Sequence, residues 1–203
     1  FVTISLTFLQ NHYIIIAEDS LNNYATATSS YVISDCQNNF ITEEVVIGDK
    51  KTLFNSAPIV TYYNYSWSKQ LYLSKEINKT NQGGVITNLA WECNTSAPDN
   101  YTNQICYLAA VDEDVLTINY TDPSAIGAQQ VWSGTLHLQQ GWCDITFKQP
   151  FYLPPNKNLL IIWHNKHGNS NNEHQFYYSS TSSVRCVYEM ADNAFPYNSG
   201  SYS

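Results

Sequence analysis

The sequence predicts an all-β fold, an antiparallel β-sandwich of jelly-roll-like form. Short runs rich in Val, Ile, Tyr, Phe and Thr recur along the chain, each bounded by Asn, Gly, Pro or Ser. No segment keeps an apolar period of 3.6 residues over three turns. Many short strands with no helices between them pack as a sandwich or barrel, not as an α/β sheet. A chain of 203 residues is long enough for one full domain, or for one domain plus a piece of another.

The expected strands are Tyr13–Ala17, Tyr24–Ile33, Val85–Cys93, Ile105–Val111, Gln130–Leu138, Cys143–Phe147, Leu159–His164, Gln175–Tyr178 and Val184–Glu189. Ile145 and Phe147 alternate with Asp144 and Thr146, which predicts a strand with one buried face. Leu159–Trp163 is apolar on both faces, as in a central strand covered on each side. Pro150 marks an edge strand, and Pro154 and Pro155 a turn after it, because a missing amide hydrogen is tolerated there. One helical turn is expected at Asp122-Pro123-Ser124-Ala125-Ile126, with Asp122 as cap and Pro123 at the first helical position.

Residues 1–35 read differently. Phe1–Phe8 alternates loosely. Tyr13-Ile14-Ile15-Ile16-Ala17-Glu18-Asp19 then leads through Ser20-Leu21-Asn22-Asn23 into Tyr24-Ala25-Thr26-Ala27-Thr28. This strand, turn and returning strand resemble the last strands of an immunoglobulin-like or fibronectin-like module. The resemblance implies a partial Ig-like segment at 1–35, a polar linker at 36–39, and a sandwich over 40–203 that lacks its last strand. In the alternative, the first strands belong to the main domain. Phe1 is not an initiator Met, and the expectation is a piece of something longer.

Within 40–203 an ordered set of blocks stands out. They are Glu44-Val45-Val46-Ile47-Gly48-Asp49, Ala57-Pro58-Ile59-Val60-Thr61-Tyr62-Tyr63-Asn64-Tyr65-Ser66-Trp67, and Gly84-Val85-Ile86-Thr87-Asn88-Leu89-Ala90-Trp91. Val131-Trp132-Ser133-Gly134-Thr135, Gly141-Trp142-Cys143-Asp144-Ile145-Thr146-Phe147 and Asn158-Leu159-Leu160-Ile161-Ile162-Trp163 follow. Their order resembles a β-sandwich module of large secreted proteins of Bacteroidetes, of the kind exported by type IX secretion. The resemblance implies a secreted or cell-surface location and a modular architecture more than a mechanism.

Charge excludes one class of function. Lys and Arg number 9 against 17 Asp and Glu, a net charge of −8, so the chain lacks the basic face that phosphate binding requires. Charged residues are only 13% of the chain, about half the usual share, and Asn, Ser and Thr supply the polarity instead. No stretch reaches the roughly 18 apolar residues of a membrane-spanning helix, so no membrane insertion is expected.

The five cysteines contain no CxxC pair, which argues against a zinc ribbon. Cys93 and Cys106 flank the turn formers Asn94–Asn100 and would be antiparallel neighbours, the first candidate disulfide. Cys143 and Cys186 are the second. Buried thiols are the alternative in both cases. N-x-S/T triplets occur at Asn64, Asn78, Asn94, Asn100 and Asn119, and matter only where the source glycosylates Asn.

Catalytic signals are weak. There is no Gly-x-Ser-x-Gly elbow and no spaced pair of acids, so no enzyme activity is expected. Asp112, Glu113 and Asp114 stand together, but they lack the spaced ligands of a calcium loop. They read as a solvated loop, and no cofactor is expected. His164, His167 and His174, with Glu173, are weak metal candidates whose spacing and Asn/Gly/Ser setting read as a long hairpin loop. The aromatic run is more informative. In an extended strand Tyr63, Tyr65 and Trp67 share one face, with Asn64, Ser66, Ser68 and Gln70 beside them. Such a platform stacks on sugar rings; packing in the sandwich core or at its rim is the other reading.

The expected function is therefore a non-catalytic adhesion or surface-interaction module of a secreted multidomain protein, with a glycan or a surface protein as partner. One alternative is a carbohydrate-binding module attached to a secreted enzyme. Another is a structural subunit of an extracellular fibre, self-associating through open sheet edges.

Overall fold

A computed structural model describes residues 2–9, 40–48, 52–54, 57–77, 83–170, 174–198 and 200–202. Its strands are β1 (Val2–Leu9), β2 (Phe40–Ile47), β3 (Thr52–Phe54), β4 (Tyr65–Tyr72), β5 (Gly84–Asn94) and β6 (Asp99–Val111). They continue with β7 (Gln129–Leu138), β8 (Gly141–Leu153), β9 (Asn158–Asn165), β10 (Gln175–Tyr178), β11 (Cys186–Ala191) and β12 (Ser201–Tyr202). One helical turn, α1 (Ser74–Ile77), follows β4, and a 3-10 turn (Pro123–Ile126) precedes β7. None of the described helices is long and apolar enough to cross a membrane.

The strands form two six-stranded sheets. The first runs β2-β1-β5-β10-β3, with β8 on the opposite edge of β5; the second runs β12-β11-β4-β9-β6-β7. All described pairings are antiparallel. The fold is thus the antiparallel sandwich that the short, helix-free strand pattern predicts.

The core between the sheets is built on Trp91, Leu89 and Ile145 from the first sheet and Trp163, Ile161 and Leu108 from the second. The rings of Trp91 and Trp163 meet edge to face with centroids 5.2 Å apart, a favoured aromatic geometry. β9 is covered on both faces, as its unbroken apolar run predicts. Leu159, Ile161 and Trp163 enter the main core, while Leu160 and Ile162 pack outward against Ala109, Tyr107 and Leu116. Residues 112–128 form that outer cover. Lys69 pins it from β4, donating to the carbonyls of Thr117 at 2.9 Å and Asn119 at 2.8 Å.

β8 alternates buried and exposed along the half-buried run of Ile145 and Phe147. Among the described strands it pairs only with β5, so Pro150 lies on an edge strand. The register jumps from Asn88↔Thr146 to Ile86↔Phe151, and the extra residues around Pro150 leave the ladder there. The turn at Pro123–Ile126 is capped by Asp122, whose carboxylate accepts the Ser124 amide at 2.9 Å. Gly127 ends it at φ +65°, a conformation that costs glycine nothing.

Three expectations are corrected. First, β1 is hydrogen-bonded to both β2 and β5, so Val2–Leu9 belongs to the sandwich and not to a separate Ig-like unit. Residues 10–39, with the other strands expected there, the linker and Cys36, lie outside the described residues. Second, β5 and β6 are not a hairpin, because the chain crosses from the first sheet to the second between them. Neither Cys93–Cys106 nor Cys143–Cys186 lies at disulfide distance, so neither expected bridge is present. Cys93 and Cys143 lie in the first sheet, Cys106 and Cys186 in the second, and Cys93, Cys106 and Cys143 carry free thiols. Third, β9 and β10 lie in different sheets, so they are not joined as a hairpin.

Candidate functional site

β4 turns its polar side inward. Ser68, Gln70 and Tyr72 pair with Trp163, Ile161 and Leu159, all core residues, so they share the inner face. Trp67, Lys69 and Leu71 take the outer face. Polar side chains survive inside because each is bonded. Ser68 donates to the Pro58 carbonyl at 2.6 Å, and the Gln70 amide oxygen accepts from Trp91 Nε1 at 2.8 Å and from the Tyr72 hydroxyl at 3.3 Å.

Gln70 and Tyr72 floor a cleft of about 400 Å³ between the two sheets, where β4 and β11 face β10. Trp91, Phe176 and Gln70 form its buried depth. Phe176 and Tyr178 alternate inward on β10, so Tyr178 stands half-exposed at the mouth. α1 and the start of β11 supply the charged rim. Arg185 Nη1 meets Glu76 Oε2 at 2.6 Å, and the same carboxylate oxygen accepts the Leu73 amide at 2.8 Å. Ser179, Ser180 and Thr181 add hydroxyl-bearing side chains at the mouth. Burial raises Tyr72 well above an ordinary phenol, with Cys186 and Glu76 adding to the effect, so its hydroxyl stays a neutral donor. Aromatic walls, a planar amide and a guanidinium suit a small, ring-shaped, hydroxylated ligand. Among the described residues lining the cleft, Glu76 is the single carboxylate and none is a histidine, so no pair of described carboxylates of the kind glycoside hydrolysis uses meets there.

The residues predicted from sequence lie elsewhere. Tyr63 and Tyr65 are half-buried, and Trp67 is only 1% exposed beneath Tyr120 and Gly200. They do not form an exposed platform. The strand alternation places Tyr65 and Trp67 on one face, as expected, but a crossing segment covers that face. Gly200 is required for this cover, since a Cβ there would meet Trp67 at 2.9 Å and the Tyr188 carbonyl closer still.

The histidines are also separated. His164 lies on the outer face of β9 among Tyr107, Tyr120 and Phe195. His167 and His174 pack on Tyr101, with centroids 4.7 Å and 5.9 Å away. His174 bridges Thr95 at 2.7 Å and Asp99 at 3.3 Å, tying the β5–β6 crossing to the start of β10. Glu173 lies outside the described residues. Among the described residues no group of three His, Cys, Asp or Glu side chains could hold a metal ion. Asp112 pairs with Lys157 at 2.6 Å and Asp114 accepts from Asn158 at 2.8 Å, so this acidic triplet anchors a turn.

Sequence reasoning missed the cleft entirely. Its lining comes from β4, α1, β5, β10 and β11, which are distant in the chain and share no motif. It also missed the exposed aromatics Tyr62, Trp142 and Tyr152. For the last two the signal was present, because Trp142 and Tyr152 fall on the polar side of the alternation that buries Ile145 and Phe147. No family model, curated protein or solved structure matches this chain.

Proposed function

We propose that this chain is a non-catalytic surface-interaction module of a secreted or cell-surface protein, and that its ligand is a short glycan held in the cleft between the sheets. The observation that carries this reading is the half-exposed Tyr177 and Tyr178 beside the Arg185–Glu76 pair at the mouth of the cleft, over a buried floor of Trp91, Phe176 and Gln70. Aromatic faces take the apolar side of a sugar ring, while amide, guanidinium and carboxylate groups bond its hydroxyls. The block order shared with secreted Bacteroidetes modules supports the location.

Glycan-array binding followed by calorimetry tests the reading. The parent protein binds a glycan, and Tyr178→Ala weakens binding roughly tenfold, the loss of one stacking contact, without lowering the melting temperature. Trp142→Ala and Tyr152→Ala leave affinity unchanged. Binding that survives Tyr178→Ala but vanishes with Trp142→Ala moves the site to the outer face of the first sheet. A parent that binds no glycan removes the glycan reading.

A second reading, the fibre subunit, draws on β2. Among the described strands it pairs only with β1, and Val46 on it is 52% exposed. An open edge of this kind can be completed by a neighbour's strand. Concentration-dependent growth in light scattering, abolished by Val46→Lys, supports assembly; a monomer at all concentrations rejects it.

A further inference from the structure

We propose that Cys93 and Cys143 form an intramolecular disulfide across β5 and β8, made by thiol–disulfide exchange with a small external disulfide. In the β5–β8 ladder Trp91 pairs with Cys143 and Cys93 pairs with Gly141. The two cysteines are therefore diagonal neighbours on the inner face, and both are buried. Opposite Cys93, Gly141 has no Cβ, and no described side chain lies within 4 Å of the place one would take. The Cys143 sulfur accepts from the Gln139 amide at 3.3 Å and lies 3.4 Å from the Gln139 carbonyl and 3.9 Å from the Gly141 carbonyl. The Cys93 thiol is directed at the Cys143 sulfur.

Diagonal cross-strand positions sit at the outer limit of disulfide geometry. β8 is an edge strand whose backbone pairs with β5 alone among the described strands, so a shift of its turn-proximal end closes the bond. The other described thiols have no such arrangement. Cys106 is buried in the opposite sheet between β7 and β9, facing Trp132 and Trp163.

The pair has a defined order of reaction. Cys143 is the third residue of the edge strand β8, next to the turn, where fraying of the strand end exposes it, whereas Cys93 lies on β5 between its paired neighbours. Cys143 is thus the attacking thiolate. Its thiolate displaces one thiolate from the external disulfide and forms a mixed disulfide. Cys93, giving up its proton, then attacks the Cys143 sulfur and releases the second thiol. The protein loses two electrons and two protons, and the external disulfide is reduced to two thiols.

The experiment incubates the protein with oxidised glutathione, alkylates the remaining thiols after unfolding, and maps the peptides. The expected product links Cys93 to Cys143 and leaves Cys106 alkylated. The melting temperature rises by roughly 5–10 °C and falls back on reduction. Cys106→Ala behaves like the parent. Cys93→Ala stops at the glutathione mixed disulfide on Cys143, a readout that needs no change in stability. Recovery of Cys93 and Cys143 as alkylated thiols, or linkage of either to any other cysteine, overturns the proposal.

Discussion

Trp91 and Trp163 lie between the sheets and Trp67 lies on the outer face of the second sheet, yet their exposures are 2%, 0% and 1%. What separates them is the indole N–H. Trp91 donates to Gln70 and Trp163 to Gln104, both at 2.8 Å. Among the described residues Trp67 Nε1 has no hydrogen-bond partner, and neither does Nδ1 of His164, which pairs with Trp67 across β4 and β9. Inside the sandwich, the packing of one sheet on the other brings Gln70 to Trp91, and the neighbouring strand brings Gln104 to Trp163. Outside, the crossing segment supplies aromatic rings (Tyr120, Phe195) that leave the Trp67 indole N–H without an acceptor among the described residues, although the Tyr120 hydroxyl reaches His164 Nε2 at 3.4 Å. Burial shows only that a side chain is covered, whereas hydrogen bonding shows whether the covering element is matched to it. A buried polar group left unbonded costs free energy, so the outer cluster is the less stable of the two regions.

The largest effect comes from removing an inner indole. Trp163→Ala costs about 3–5 kcal/mol in urea unfolding, since the strands around it cannot collapse into the space. Trp67→Ala costs less than half of that, because the crossing segment can close over the gap. Equal costs would erase the distinction between the two regions.

Acid weakens the outer region through His164. Burial first, then Lys166, lowers His164 from 6.5 to about 4 in the folded state, with Asp122 opposing. Between those values the unfolded chain holds more protons, so stability falls as pH drops through the window. The full loss is about 3 kcal/mol below pH 4. Tyr120, Tyr107 and Phe195 also face the imidazole. Subtracting the pH profile of His164→Phe, which cannot take up the proton, isolates this contribution from the carboxylates. Parallel profiles for the two proteins would refute it.

Gln70→Leu leaves Trp91 Nε1 buried without an acceptor and costs about 1–3 kcal/mol. Adding Trp91→Phe removes the orphaned donor, and the double variant recovers part of the loss contributed by that donor. Additive losses across this cycle would deny the bond any special role. The smallest effect is at the surface. Lys157→Ala breaks a 2.6 Å pair with Asp112, whose side chain is 80% exposed, and changes stability by less than about 1 kcal/mol.

Much of the strand pattern was legible. Val85–Cys93, Ile105–Val111, Leu159–His164 and Gln175–Tyr178 all fall within strands, because β-branched and aromatic runs between turn formers have few other stable solutions. The capped turn at Pro123 was legible for a local reason: Asp122 bonds a residue only two positions away. β3 and β12 were not legible, since such short strands exist only through their partners β10 and β11. None of the cleft was legible. Gln70 and Trp91 look like an ordinary polar residue and an ordinary core residue until the packing of the two sheets brings them to 2.8 Å.

The sequence by itself determined the all-β class, the edge role of Pro150, the two-sided burial of β9 and the shared face of Tyr65 and Trp67. These follow from alternation and turn chemistry, which act over a few residues. The tertiary structure alone decided which faces point inward and which thiols meet. A strand's two faces are distinguished in sequence only by polarity, and in β4 polarity misleads. The serines and Gln70 go inside because partners there bond them, while Trp67 goes outside because a distant segment covers it. The cysteines show the same limit. The loop between Cys93 and Cys106 suggested a hairpin, but the chain crosses between sheets there, and the crossing places Cys143 beside Cys93 instead.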